Sequence, residues 1–273
     1  MFCARTFDIY LTVMEYIKST SNPKIKAASR LVRDAAARRE SGCFFLEGAR
    51  LCRDAVQSGI EVDSLFYTCE AAERFGEYIA EIIPAAREVF EVSPEAAVKL
   101  ADTKSTQGVF CVCKMLDKSD NIGKIENNKR YVALENVSDP VNLAAVSRSA
   151  EAFGLDGLIV SGGCDIYNPK ALRASMGALF RIPLFVADDL PSVINSLCSH
   201  GMSVYAAVPD RSALSVTEAD FSHGAVCAVG NEGNGLSDDI VSICTPLTLP
   251  MRGRAESLNA AAAAAVLIWE MMK

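Results

Sequence analysis

The chain has 273 residues, half of them hydrophobic, and a formal net charge of -7. This length predicts two domains, and the apolar share excludes disorder over most of the chain. The acidic balance argues against a nucleic-acid binder held by bulk electrostatics, so a polyanion would have to meet local patches.

From the N-terminus, Arg5, Asp8 and Glu15 interrupt the first apolar residues, a pattern that predicts no signal peptide. The segment from Lys18 to Arg39 holds seven basic residues and one acid, and Lys26, Arg30 and Arg33 share a face at helical spacing. That face reads either as a solvated helix surface or as a phosphate-contacting patch. Strands are predicted at Cys43–Glu47, Ser64–Tyr67, Val89–Val92 and Gly108–Lys114. Helices are predicted between them at Gly48–Ser58, Glu70–Glu81 and Pro94–Ala101, the last with Ser93 as N-cap. This alternation implies an α/β layer architecture over residues 1–116.

The polar stretch 117–129, DKSDNIGKIENNK, reads as a linker. Residues 130–273 alternate again. Strands are predicted at Tyr131–Glu135, Gly157–Ser161, Ile182–Val186, Ser203–Val208, Ala225–Val229 and Thr245–Leu249. Helices are predicted at Asn142–Phe153, Pro169–Leu179, Leu190–His200, Ser237–Ile243 and Ser257–Met272. The most apolar stretch, Ala260 to Trp269, falls short of the roughly 18 residues of a spanning helix, so no membrane association is expected. The 10 cysteines form no C-x-x-C pair and read as free buried thiols of a reducing cytoplasm. With only two histidines, no metal site is expected.

Three segments in the second half are richer in polar and glycine residues than packing requires. Each follows a predicted strand, where open α/β sheets bind ligands. The first runs from Leu134 through Asp139-Pro140 and Asn142 into a helix with an apolar stripe at Leu143, Val146, Ala150 and Phe153. Arg148 lies about 180° from the centre of that stripe. It is either an ordinary surface arginine or a guanidinium that grips a phosphate or a reacting hydroxyl. The second is Gly230-Asn-Glu-Gly-Asn-Gly235, with Glu232 between its glycines. It reads as a tight turn or as a backbone cradle. The third runs from Leu249-Pro-Met251 to Ser257-Leu-Asn259, where Ser257 and Asn259 are helix caps or something beyond caps.

In this order the three segments resemble the SpoU (TrmH-like) branch of the SPOUT RNA methyltransferases. The resemblance rests on Asp139-Pro140, Asn142, Arg148 and Phe153-Gly154, then Gly230, Glu232, Gly233 and Gly235, then Pro250-Met251, Gly253 and Ser257-Leu258-Asn259. The stretch Ala174 to Pro183 is similar to the family's second-helix pattern. Asn22 to Lys26 with Phe45-Leu-Glu-Gly48 resembles the L30e/L7Ae-like domain often fused to this family. Ala144 stands where the family usually has glycine, and alanines follow Asn259 where Val-Ser is frequent.

The resemblance implies an α/β-knot (SPOUT) methyltransferase domain over 130–273, with a trefoil knot, and a smaller N-terminal L30e-like α/β domain that binds RNA. It implies S-adenosyl-L-methionine as cofactor, held around Gly230, Leu249, Met251 and Leu258. The implied catalytic set is Arg148, Asn142, Glu232, Ser257 and Asn259, acting in a cytoplasmic homodimer. The implied reaction is methyl transfer to a ribose 2′-hydroxyl of structured RNA, with 23S ribosomal RNA favoured by the extra N-terminal domain and tRNA as the alternative. A non-catalytic RNA-binding relative would have no need of all five polar residues. A base methyltransferase of the wider superfamily would lack this motif set. A dinucleotide-dependent oxidoreductase would carry its glycines after the first strand.

Overall fold

A computed structural model describes residues 15–116, 119–255 and 257–273. The predicted reading of Arg5 and Asp8 lies outside these residues. Two compact units are present: Met1–Leu116 with Tyr167–Arg173, and Asp117–Ile166 with Ala174–Lys273.

In chain order the first unit holds β1 (Glu15–Ile17), α1 (Pro23–Arg33), α2 (Ala35–Ser41), β2 (Cys43–Glu47), α3 (Ala49–Gln57), β3 (Val62–Tyr67), α4 (Cys69–Ile82), β4 (Ala86–Val92), α5 (Pro94–Leu100) and β5 (Val109–Lys114). Its sheet runs β1-β4-β3-β5-β2, with β5 antiparallel to both β3 and β2 and the other pairs parallel. Phe45, Phe66, Phe90 and Phe110 on one sheet face pack under Ile25, Ala28 and Leu31 of α1 and Ala96, Ala97 and Leu100 of α5. Ser93 caps α5 by accepting from the Ala96 amide at 3.2 Å, as expected. Glu47 is buried and accepts from the backbone amides of Asp102 and Thr103 at 2.9 and 3.2 Å. Cys111 and Cys113 lie buried in β5 and Cys52 in α3, whereas Cys69 and, in the second unit, Cys198 are exposed, against the expectation of uniform burial.

The basic segment differs from the single helix face read from spacing. Asp34 breaks it, capping α2 through Ala36 and Ala37. Arg38 is buried and donates to the Leu31 carbonyl at 2.6 Å, so it serves the fold. Lys24 pairs with Glu88 at 2.6 Å, and Arg30 lies 3.4 and 3.5 Å from Asp34 and Glu40. Lys26 and Arg33 are exposed and make no ion pair among the described residues.

The second unit holds β6 (Arg130–Glu135), α6 (Pro140–Phe153), β7 (Gly157–Ser161), α7 (Pro169–Ser175, whose first five residues count with the first unit), α8 (Ala178–Arg181), β8 (Leu184–Val186), α9 (Leu190–Ser199), β9 (Ser203–Ala207), β10 (Leu214–Ser215), β11 (Ala225–Val229), α10 (Asp238–Ile243), β12 (Thr245–Thr248) and α11 (Ala260–Met272). Its seven strands are all parallel, in the order β10-β12-β9-β11-β6-β7-β8. Helical layers bury both faces of such a sheet, which explains apolar runs such as Tyr-Val-Ala-Leu and Ala-Val-Cys-Ala-Val. From β6 the chain builds outward through β7 and β8, then crosses to β9 on the other side, and β11 fills the gap. The strand order therefore reverses between β6 and β11, and a crevice opens at such a reversal.

The described part of the polar stretch, from residue 119, is not a free coil. Residues Ser119–Lys124 form a short 3-10 helix, and Ile122 and Ile125 pack against the core around Tyr131 and Phe185. The predicted helix Pro169–Leu179 is split because Met176 and Gly177 adopt left-handed backbone conformations, with φ of 50° and 85°. The last helix begins at Ala260, three residues later than spacing suggests, because Asn259 caps it. Phe153 departs from the predicted stripe: Leu143, Val146 and Ala150 are buried, but Phe153 is 38% exposed against Trp269.

Candidate active site

β6 ends on Glu135, a buried carboxylate that follows the apolar run Tyr131–Leu134. It accepts from the Ser237 amide at 2.8 Å and the Ser237 hydroxyl at 2.7 Å. Ser237 in turn caps α10. This fastens the far end of the loop after β11 to the end of β6.

A second fastening lies one residue on. Asn136 adopts a left-handed conformation, and its carbonyl accepts from the Asn231 side-chain amide at 2.8 Å. The Asn231 side-chain oxygen accepts from the amides of Gly233 and Asn234, and Asn231 and Gly235 exchange two backbone hydrogen bonds. The glycine-rich segment is thus a closed turn. Gly230 is needed there because a Cβ would run into the backbone of Gly235 and Leu236. Gly235 is needed because its φ is 71°.

Glu232 stands at the tip of this turn. One carboxylate oxygen accepts from the Asn142 amide at 2.6 Å. The other lies 3.5 and 3.3 Å from the Ser138 backbone amide and hydroxyl. Asn142 occupies the first turn of α6, behind the Asp139 cap and Pro140. Its side-chain oxygen accepts from the Asn259 amide at 3.1 Å. Asn259 begins α11, and its side-chain oxygen accepts from the amides of Ala261 and Ala262 at 3.0 and 3.3 Å.

These bonds have a forced direction. The α11 amides are donors, so the Asn259 oxygen must face them and its NH2 must face Asn142. Asn142 then presents its own NH2 to Glu232. The chain ends on an acceptor, the Glu232 side-chain oxygen. Burial opposes the charge on Glu232, but donation by Asn142 and by the amides of Glu232, Ser138 and Asp139 outweighs it and holds the pKa below its ordinary value.

Asn142, Glu232 and Asn259 are therefore brought together, from the loops after β6, β11 and β12. Arg148 is exposed on α6, two turns beyond the cap, with no hydrogen bond or ion pair among the described residues. Ser257 and Leu258 are exposed, Leu249 and Met251 half-buried, and Gly230 buried. Ser257 makes no capping bond, so capping falls to Asn259 alone. Ala144 is buried, and its carbonyl accepts from Ser147 at 2.8 Å. Sequence reasoning missed Glu135, Asn136, Ser138, Asn231 and Ser237. Glu135 had a signal, a charge ending an apolar run. Asn231 lies inside a segment singled out for its glycines and Glu232.

Residues 129–269 match the SpoU rRNA Methylase family, and residues 22–111 match the MRM3-like substrate binding domain. The chain belongs to the SpoU rRNA methylase family. Among its relatives is the 23S rRNA (guanosine(2553)-2′-O)-methyltransferase RlmP of Bacillus subtilis (strain 168), 30% identical over 94% of this chain and 99% of that one. Another is the 23S rRNA (uridine(2479)-2′-O)-methyltransferase of Streptomyces viridochromogenes, 26% identical over 93% of this chain and 91% of that one. The AdoMet-bound rRNA methyltransferase from Sinorhizobium meliloti superposes with a TM-score of 0.83, at 27% identity over 94% of this chain and 97% of that one. In this SpoU family member the loops that carry the motifs are those joined by the Asn142, Glu232 and Asn259 side chains. Among the described residues there is no cluster of metal-ligating side chains, and no helix is long and apolar enough to cross a membrane.

Proposed function

We propose that the protein transfers a methyl group from S-adenosyl-L-methionine to a ribose 2′-hydroxyl of 23S ribosomal RNA. The observation that carries this reading is the side-chain chain Asn259–Asn142–Glu232, which ties three strand-end loops together at the reversal of the sheet.

The loop chemistry fits the cofactor. Gly230 brings backbone close, and half-buried Leu249 and Met251 with exposed Leu258 offer apolar surface for a nucleoside. Bound there, the cofactor supplies an electrophilic methyl group. The protein's own residues do the rest. A ribose hydroxyl is a weak nucleophile near neutral pH; it must be oriented, and as its oxygen takes the methyl group its proton passes to solvent water. Glu232 is a poor base, because its hydrogen bonds hold it ionised with little affinity for a proton. Its role is to keep Asn142 and Asn259 in place. Arg148 orients the hydroxyl and the adjacent phosphate and offsets developing negative charge, a role that suits a permanently protonated guanidinium. Ser257 lines the transfer site.

The N-terminal domain, residues 1–116, holds the RNA, residues 117–129 connect, and residues 130–273 catalyse. Lys26, Arg30 and Arg33 contact phosphates sequence-independently. Replacing all three by Gln is expected to weaken RNA binding and flatten its salt dependence; an unaltered slope would remove them from the interface. The enzyme is a homodimer with a trefoil knot in each subunit. A dimer is supported by Phe153, Val266 and Trp269, which leave an apolar patch on α6 and α11. A cytoplasmic location agrees with nine described cysteines that are all free.

Mapping ribose methylation across total RNA, with and without the protein, tests the reading. One 23S site should disappear. A site lost from tRNA would move the substrate, and no site lost anywhere would overturn the reaction.

A further inference from the structure

The second unit carries more carboxylates than cations. Several lie at the loops just described: Glu135, Asp139 and Glu232, with Asp238 and Asp239 behind the turn. A polyanion approaching this end of the sheet is repelled unless cations offset them.

Most of the described cations of this unit are already engaged. Lys129 pairs with Glu126, Arg181 with Glu151 and Lys273 with Glu270. Arg130 donates to the Phe221 carbonyl and Lys124 to the Asn121 side chain. Among the described residues, Arg148, Arg211, Arg252 and Arg254 have side chains that make neither a hydrogen bond nor an ion pair, and all four are exposed.

Three of these four share a place in the fold. Arg211 follows β9, and Arg252 and Arg254 follow β12. The two strands are parallel neighbours, and the Val208 amide continues their pairing onto the Leu247 carbonyl at 2.9 Å. Parallel neighbours end on the same edge of a sheet, so both loops leave from the carboxyl edge. The loop with Arg252 and Arg254 then runs directly to Asn259, which is bonded to Asn142.

We propose that Arg211, Arg252 and Arg254 form a phosphate clamp that holds the RNA backbone beside the target ribose. The proposal rests on the reading of this site as an RNA methyltransferase and adds a specific anchor to it. Guanidinium forks suit phosphate oxygens, and arginines without carboxylate partners lose no ion pair when they bind them. Phosphate contacts of this kind set register and carry no sequence information, so the clamp positions the nucleotide and leaves its choice to other contacts.

The test uses the full chain and an unmodified 23S rRNA transcript. Binding is measured over a salt series for wild type, for the triple variant Arg211→Ala, Arg252→Ala, Arg254→Ala, and for the corresponding triple lysine variant. Each lost phosphate contact should lower the slope of log K against log salt by about 0.7–0.9. The alanine variant should therefore bind more weakly with a flatter slope, and the lysine variant should keep most of the slope. S-adenosylmethionine affinity, read by calorimetry, should match wild type in both. An unchanged slope in the alanine variant overturns the clamp, as does a parallel loss of S-adenosylmethionine affinity, which would assign the arginines to the cofactor. Failure of the underlying reading looks different: wild type would bind no S-adenosylmethionine and methylate no RNA, whatever the slopes.

Discussion

At Glu232, burial and hydrogen bonding act in opposite directions, and hydrogen bonding prevails. Its depressed pKa has a defined consequence for acid stability. A carboxylate bound more tightly as an anion in the folded state contributes in full above its ordinary value of 4.5, and loses that contribution as pH falls through its lower folded value. Denaturant titrations of wild type and Glu232→Gln should therefore differ by a constant amount near neutrality and converge below pH 4.5. A difference that does not change with pH would show that the ionised form is not what the loop needs. Arg148 presents the converse case, a charge without a partner. Arg148→Ala should lower kcat by orders of magnitude, with little change in S-adenosylmethionine affinity or stability. Turnover near the wild-type rate would remove it from the reaction. Spacing alone put Arg148 opposite its helix's buried stripe, and its exposure agrees. No spacing in the sequence pairs Asn142 with residues 90 and 117 positions away.

At the scale of elements, α6 and α11 begin side by side, and Asn259 serves both as cap and as link between them. Substitution separates the two roles. Asn259→Asp keeps an acceptor for the Ala261 and Ala262 amides but removes the donor to Asn142. Its stability should stay close to wild type while kcat falls. Asn259→Ala loses the cap as well, at a cost of about 1 kcal/mol in equilibrium unfolding. Equal stability loss in both variants would contradict this division. The alanines 260–265 were legible as good helix formers. Their contribution to packing was not, since it depends on where the neighbouring elements lie: Ala260, Ala261 and Ala264 are buried, and α11 packs on α6, β6 and β11. The break at Met176-Gly177 was also illegible, because a helical pattern runs straight through Pro169–Leu179 and only φ reveals the interruption.

For the whole molecule, the apolar patch of Phe153, Val266 and Trp269 carries the prediction of a dimer. Trp269 is 53% exposed and lies edge-on to Phe153 with ring centroids 5.3 Å apart. It is also the only tryptophan in the chain, which makes its emission a direct reporter. Sedimentation equilibrium should give a dimer for wild type and a monomer for Trp269→Glu. Dilution of wild type should shift the emission to the red as the ring meets water. A wild-type monomer at all concentrations would remove the dimer.

By itself the sequence determined the α/β alternation, the three motif segments and their order, and the family they point to. Hydrophobic period, caps and glycines are local signals that neighbouring residues read out within a few positions. Only the tertiary structure decided that β11 inserts between β9 and β6, that Arg38 is structural while Lys26 and Arg33 face solvent, and that Asn259, Asn142 and Glu232 form one directed chain. Strand order and side-chain partners across a hundred residues depend on which surfaces meet in space, and no local period encodes that. The loops could be named in the sequence, but the direction of their hydrogen bonds, and with it the ionised state of Glu232, required the fold.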